Sequence, residues 1–469
     1  MYYQRLDQTE QDKLHHASLE VMRNSGVRFL EKNAIEIFRK AGCAVQDNLV
    51  RFPSNLVEWA LKTCPKNITL FDRLGQPKIH LMGRCAYYGN GSDLLYIIDH
   101  ETCKCRSPLL KDVKDIVTLI DALPHFDFSM SGFIPTDVPN DQVQRWQMKT
   151  MLENTIKPIV YVTTDFENTK SSVEMAEIVA GDEKALRENP FAVNYINISN
   201  PLKHNTESVR KLMWLSQKGL PFVYRPSIVT RGISTPVTWA GFLVVNNVAG
   251  LAGLVLSQLV REGALFIRCG CSGGTFDMQT MVGLHSAAEI RGFNEDLCEY
   301  YQIPRFGIGG LSGSKDVDQQ AAYEAALTLI TSTQAGAQLI HDVGYLDNGR
   351  IGALDHLVIC HEIIGWVKQY MKDMVIDEES LALELIHQVI QSDTNFLDSD
   401  HTLAHYQEDY YPALTDRSVY DTWEAKGSTT LRERAKKEAD AILKDHRAVP
   451  LEKSVPQKLL DLINREAHL

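Results

Sequence analysis

From about residue 85 onward, short apolar runs alternate with longer segments whose apolar positions recur at helical spacing. The runs are rich in β-branched and aromatic residues: Ala86–Asn90, Phe126–Gly132, Pro158–Thr164, Ala192–Ser199, Pro221–Pro226, Leu265–Gly270, Pro304–Gly310 and Gln338–Gly344. Helices such as Val113–Leu123, Gln142–Asn154, Ser171–Ala180, Glu207–Gln217 and Gln319–Gln334 separate them. Strictly alternating strands and helices require parallel pairing, because each helix carries the chain back over the sheet before the next strand begins. Eight such units match a (β/α)8 TIM-type barrel, with a doubly wound open sheet as the alternative. The expected organisation is therefore an N-terminal helical elaboration over 1–84, the barrel over 85–373, and a C-terminal helical extension over 374–469 packed on the barrel. A hairpin-like insertion (Leu94–Ile98, then the CKC stretch) follows the first run.

One segment, Ile233–Val260, has no charged residue and is long enough to cross a bilayer. Asn246, Asn247, Ser257, Gln258 and three glycines interrupt it, and its place in the strand–helix repeat predicts a buried or subunit-interface helix. The polar start MYYQRLDQTEQDKLHH lacks the apolar core of a signal peptide. The nine cysteines are dispersed, with no C-x-x-C pair. A cytoplasmic protein without a disulfide framework or bound metal is expected, most simply a homo-oligomer with no membrane attachment. Sixty acidic against 48 basic side chains leave a net charge of −12, which argues against nucleic acid as a partner.

Familiar catalytic motifs fail on inspection. HEIIG at His361 has Gly365 where the second histidine of a zinc helix would stand. GIGGLSGSK (Gly307–Lys315) has the wrong glycine spacing for a phosphate loop. Gly270–Gly274 does satisfy G-x-S-x-G after a strand, which leaves a serine hydrolase using Ser272 as an alternative. His341-Asp342 ends the eighth run without a histidine cluster to complete a metal site. Polar residues near strand ends (Asn90, Asp93, Thr164, Asn197, Arg225, Arg305) are expected to make the barrel mouth polar, since the C-terminal face carries the chemistry of such barrels.

Several stretches together resemble the trimethylamine methyltransferase superfamily: Tyr88-Gly-Asn-Gly-Ser-Asp93, Gly309-Gly-Leu-Ser-Gly-Ser-Lys315, Gln320-Ala-Ala-Tyr-Glu324, Ala335 to Tyr345 (AGAQLIHDVGY), and LVICHEII from Leu357 to Ile364. The resemblance covers most of the chain. It implies a barrel that moves a methyl group from a methylated amine to the cobalt of a separate corrinoid protein, so the corrinoid (cobalamin) belongs to a partner and no cofactor is held by this chain. Founding members carry a pyrrolysine near the sixth or seventh strand. Here Ser312–Gln320 reads through with standard residues, and members lacking pyrrolysine are associated with quaternary amines. Glycine betaine, giving dimethylglycine, is the expected substrate, with proline betaine, carnitine and γ-butyrobetaine as alternatives.

That chemistry suits the residues. A quaternary ammonium is electrophilic at its methyl carbon without protonation, so no residue is assigned as acid, base or nucleophile, and the protein's task is positioning and desolvation. Its nitrogen has no hydrogen to donate and is best held against aromatic faces, at about 0.5–2 kcal/mol per contact. Tyr88, Tyr96, Phe133, Tyr195, Tyr224, Phe306 and Tyr345 lie near the predicted strand ends. Neighbours on a strand face opposite ways, so they cannot all line one cage. The expected binding set is Tyr96, Tyr345, Tyr224, Phe306 and Asn90 around the cation, with Arg305 and His341 pairing with the carboxylate of a betaine. A betaine-binding protein without catalysis is a third reading, disfavoured by the eight-unit repeat.

Overall fold

A computed structural model describes the chain apart from residues 1, 227–230, 271–275, 278, 280–281, 284–291, 393 and 467–469. Seven of the apolar runs become strands: β1 (Tyr87–Asn90), β2 (Ile159–Val162), β3 (Ala192–Asn197), β4 (Phe222–Arg225), β5 (Phe266–Cys269), β6 (Arg305–Ile308) and β7 (Leu339–Val343). They form one curled sheet in the order β1-β7-β6-β5-β4-β3-β2, parallel throughout. The remaining run lies between the two edge strands. There Phe128 bridges Gly89 of β1 and Ser129 bridges Ile159 of β2, both in the parallel sense. Asn90 clasps this segment by donating to the Met130 carbonyl at 2.9 Å and accepting from the Met130 N–H at 2.8 Å. Gly89 lets the two backbones meet, because a Cβ there would lie 2.3 Å from the Phe128 ring.

Each run is followed by a helix: Leu110–Ala122, Val143–Asn154, Phe166–Ala180, Thr206–Lys218, Trp239–Val260, Phe293–Tyr301, Gln319–Ala335 and Leu354–Met371. Side chains of Asp165, Thr238 and Asp318 accept from the first free N–H groups of their helices, and left-handed Gly219 and Gly336 end two of them. Trp239–Val260 is the described helix long and apolar enough to span a membrane, yet 78% of its apolar window is buried inside the protein.

Alternation within the strands separates two cores. Val160, Val193, Tyr195, Val223, Ile267, Cys269, Phe306 and Leu339 point to the concave side with Phe128 and Met130. Their neighbours point outward against the helices. The concave core is closed at the N-terminal end of the strands by an antiparallel pair, Ile68–Phe71 and Pro77–Leu81. Ile68, Leu70, Ile79 and Leu81 of this plug are buried, worth ~1.5–3 kcal/mol each. The first 84 residues, expected to be helical, thus also carry strands. A further small sheet joins Val27–Phe29, Ala44–Gln46 and Leu49–Arg51 to Lys203–His204 from the loop after β3.

Beyond Met371 the chain runs through exposed segments and rejoins the body where Lys372 donates to the Glu408 carbonyl, Gln369 Nε2 to Asp409, and the Glu362 carboxylate accepts from Tyr410 Oη and from the N–H groups of Ala413, Leu414 and Thr415. Leu431–Asp445 then packs against Leu354–Met371 and Leu110–Ala122, and Val455–Glu466 against Val143–Asn154 and Phe166–Ala180.

Candidate functional site

At the C-terminal end of the strands a cavity of about 390 Å³ opens, lined from five directions. Ser92 and Asp93 follow β1; Tyr195, Asn197 and Ile198 come from β3; Arg225 ends β4. Ile308 and Leu311 belong to β6 and its loop, and His341, Asp342, Tyr345, Asn348 and Gly349 to β7 and the turn after it. That volume suits a small molecule. Below it the Phe306 ring lies 4.4 Å from the His341 ring and 5.3 Å from that of Tyr195, giving an aromatic floor.

The acids define the electrostatics. Asp93 and Asp342 both hold left-handed backbone, at φ +66° and +67°. Aspartate adopts this region more readily than most residues, and clustered outliers of this kind cost energy that function often explains. At Asp342 the ladder between β7 and β1 is also irregular, between Ile340 and Val343. Asp93 is reached by water through the cavity but enclosed by protein. That enclosure, with the Asp342 charge adding to it against the Ser92 hydroxyl, pushes its carboxyl up to about 6.

His341 is buried. Its Nδ1 donates to the Gly307 carbonyl at 2.6 Å and its Nε2 faces Asp342 Oδ1 at 3.3 Å. With Nδ1 committed, the second contact needs one proton, carried by the ring or by the acid. Burial lowers the imidazole's basicity, with the Asp342 charge opposing it. Across the cavity the Arg225 guanidinium stands 5.9 Å from the centre of the Tyr195 ring. The site therefore combines two carboxylates that repel each other, one arginine and two tyrosine faces.

Tyr345 is held by donating its hydroxyl to the Ser92 carbonyl. It fits only because residue 91 is glycine, since a Cβ there would lie 2.2 Å from the ring. The expected hairpin forms as Tyr96–Ile98 with Cys105–Arg106, and it joins Tyr345–Leu346 and Ile351–Gly352 in a four-stranded sheet beside the mouth.

Of the expected binding residues, His341 and Tyr345 line the cavity, and Phe306 lies beneath it. Asn90 holds the bridging segment. Tyr224 faces outward, its hydroxyl paired with His204 Nδ1 at 2.7 Å and its ring seated on Gly253. Tyr96 sits on the outer sheet near Arg350. Arg305 is the first residue of β6, at the far end from the cavity, ion-paired with Glu299 at 2.8 Å and donating to the carbonyls of Gly336 and Gly83. Arg225, Asn197, Asp93 and Tyr195, marked in the sequence by position or type, stand in the cavity instead. Asp342 was visible only as half of a His-Asp pair, and Ser92 and Asn348 carried no signal. Ser272 lies outside the described residues.

Comparison with known proteins agrees with the chain-wide resemblance. The family described as trimethylamine methyltransferase matches residues 1–468. The trimethylamine methyltransferase of Desulfitobacterium hafniense (strain DSM 10664 / DCB-2) is 29% identical over 96% of this chain and 91% of its own length. A glycine betaine methyltransferase from Desulfitobacterium hafniense (strain Y51) is 28% identical over 97% and 96%. The crystal structure of the Methanosarcina barkeri monomethylamine methyltransferase aligns with 95% of this chain and 88% of its own at 13% identity and a TM-score of 0.48, too distant to add to the picture.

Proposed function

Because the chain belongs to the trimethylamine methyltransferase family, we propose that it transfers a methyl group from a quaternary amine, glycine betaine first among them, to the cobalt of a cognate corrinoid protein. We read the sheet as a complete (β/α)8 barrel, with Phe126–Gly132 as the strand that joins β1 to β2 through the Gly89 and Ser129 bridges. The observation that carries the proposal is the pairing of Asp93 with Asp342 in a small cavity walled by Tyr195 and Tyr345. Two like charges held together are relieved by an incoming cation.

In this reading the trimethylammonium head rests against the Tyr195 and Tyr345 faces and is neutralised by Asp93 and Asp342. The betaine carboxylate pairs with Arg225, whose planar guanidinium offers two parallel hydrogen bonds. Arg225 thereby takes the role first assigned to Arg305, which is engaged at the opposite end of the strands. Phe306 and His341 floor the site and hold water out from below. A cavity of about 390 Å³ holds an amine of this size but not a corrin macrocycle, so the mouth must stay open to a docked partner. The corrinoid, when presented there, supplies a low-valent cobalt nucleophile.

The acids attract the ammonium, and that attraction vanishes as the nitrogen becomes a neutral tertiary amine. Their contribution therefore falls on substrate capture, whereas the aromatic walls and the Arg225 anchor align the methyl carbon with the mouth. Mixing the protein with reduced free cobalamin and a panel of betaines tests the proposal. Appearance of the methylcobalamin spectrum with one betaine supports it. Turnover with trimethylamine alone refutes the substrate, and hydrolase labelling without methyl transfer refutes the class.

A further inference from the structure

Two stretches that carry the family resemblance, Gly309–Lys315 and Gln320–Glu324, give the cavity wall only Leu311. The structure joins them to each other. Glu324, on the second turn of Gln319–Ala335, accepts through Oε2 from the Ser312 hydroxyl at 2.6 Å and from the Gly313 N–H at 2.8 Å. The Ser312 hydroxyl in turn accepts from the Ser314 N–H at 2.9 Å. One turn further along the helix, the Thr328 hydroxyl accepts from the Gly310 N–H at 2.9 Å. Ser312, Ser314 and Thr328 are buried, so losing one partner leaves a polar group unsatisfied away from water.

The loop pinned in this way is zipped along its other edge to the turn after β7. The Gly344 N–H donates to the Gly310 carbonyl at 2.8 Å and the Ser312 N–H to the Tyr345 carbonyl at 2.8 Å. The Asn348 N–H donates to the Ser312 carbonyl at 3.1 Å and the Asp347 N–H to the Ser314 carbonyl at 2.7 Å. That turn supplies Tyr345, Asn348 and Gly349 to the cavity. It runs through three successive left-handed residues, Asp347, Asn348 and Gly349, at φ +47°, +53° and +89°. Aspartate and asparagine adopt this backbone more readily than most residues, but it persists only where surrounding contacts hold it. Ser312 and Ser314 make those contacts, and Glu324 holds Ser312.

We propose that Glu324 is a positioning residue for methyl transfer: through Ser312 it sets Tyr345 and Asn348 at the wall against which the ammonium is aligned. This role presupposes the quaternary-amine reading of the cavity. Glu324 does not line the cavity, so it touches no reacting atom. Asp93, Tyr195 and Arg225 follow other strands and keep their places when the latch is cut, so capture of the substrate survives while its alignment suffers. A misplacement of the order of 1 Å costs about 100-fold in rate.

The test compares the wild type with Glu324→Ala, Glu324→Gln and Ser312→Ala in two measurements. One is single-turnover methylation of reduced free cobalamin at saturating glycine betaine, and the other is betaine affinity by titration calorimetry. Glutamine keeps an oxygen that accepts from Ser312 and Gly313, and alanine does not. Glu324→Ala and Ser312→Ala are each expected to slow transfer about 100-fold, with affinity weakened no more than about 5-fold, the share of one aromatic face. Glu324→Gln restores most of the rate, and the Glu324→Ala/Ser312→Ala double variant is hardly slower than either single change, because both cut one latch. Hydrogen exchange distinguishes a cut latch from a lost fold: in Glu324→Ala it rises at Gly313 and over 344–348 and stays unchanged in β3 to β5. An unchanged rate in Glu324→Ala overturns the proposal, as does a rate that falls only with the folded fraction, or a Glu324→Gln variant as slow as Glu324→Ala. A wild type that demethylates no betaine overturns the reading of the cavity itself, and this role with it.

Discussion

At the N-terminal end of the strands, Lys157 donates its three ammonium hydrogens to the carbonyls of Ile120, Leu123 and Phe126 at 2.6, 2.8 and 2.7 Å. Burial there pushes its ammonium down to about 8, but its donors are fully used. Arg305, at the same end of the sheet, is bound to Glu299 and two carbonyls. At the C-terminal end, 390 Å³ of open space is bordered by Asp93 and Asp342, and enclosure by protein, with the Asp342 charge adding to it, raises the cost of ionising Asp93. Both ends set charged groups among enclosing protein. The first end satisfies them within the chain and gains a plug that fixes the fold. The second sets two acids of like charge on left-handed backbone beside His341 and Arg225, an arrangement that costs stability.

Exchanging charges at the two ends should therefore have opposite consequences. The largest effect is expected from Lys157→Met, which strands three carbonyls: stability falls by ~3 kcal/mol or more, measured by denaturant unfolding. Substrate preference is unchanged in what remains folded, and a shift in preference would break the division between the ends. Arg225→Ala is expected to leave stability within about 0.5 kcal/mol and to weaken glycine betaine by ~1.5–3 kcal/mol in titration calorimetry, with little change for choline, which lacks the carboxylate. Equal losses for both ligands would remove Arg225 from its role.

The smallest effect concerns stability without ligand. The folded Asp93 carboxyl lies near 6, above its ordinary value, so its ionisation opposes folding above that pH. Asp93→Asn should raise the melting temperature by a few degrees at pH 7–8, and the gain should fade as pH falls from about 6 and vanish below the ordinary aspartate value, where the acid is protonated in both states. A uniform gain at every pH would assign it to packing.

The strands were legible because β-branched runs flanked by glycine and proline repeat eight times, and seven of those runs carry full ladders. Which way a residue points was not legible. Parallel strands covered on both sides are apolar throughout, so FVYR of β4 gives no period from which to see that Tyr224 faces the helices and Arg225 the cavity. Arg305 misled for a related reason: its glycine-flanked run is polar at its first residue, and the first residue of a barrel strand lies at the end away from the chemistry. Asp93 and Asp342 could be placed near strand ends, but their proximity depends on β1 and β7 being neighbours. Chain order sets those strands some 250 residues apart, and only their pairing in the sheet brings the two acids together.

The account stands or falls on Asp93 and Asp342 as a cation site, and titration calorimetry of glycine betaine between pH 5 and 8, on the wild type and on Asp93→Asn, tests that directly. The ligand's own carboxylate does not titrate in this range. The wild type is predicted to gain affinity about tenfold per pH unit below 6, to level off above it, and to release a proton on binding, whereas the variant binds more weakly with a flat profile. Identical profiles for the two proteins, or tighter binding in acid, would contradict it.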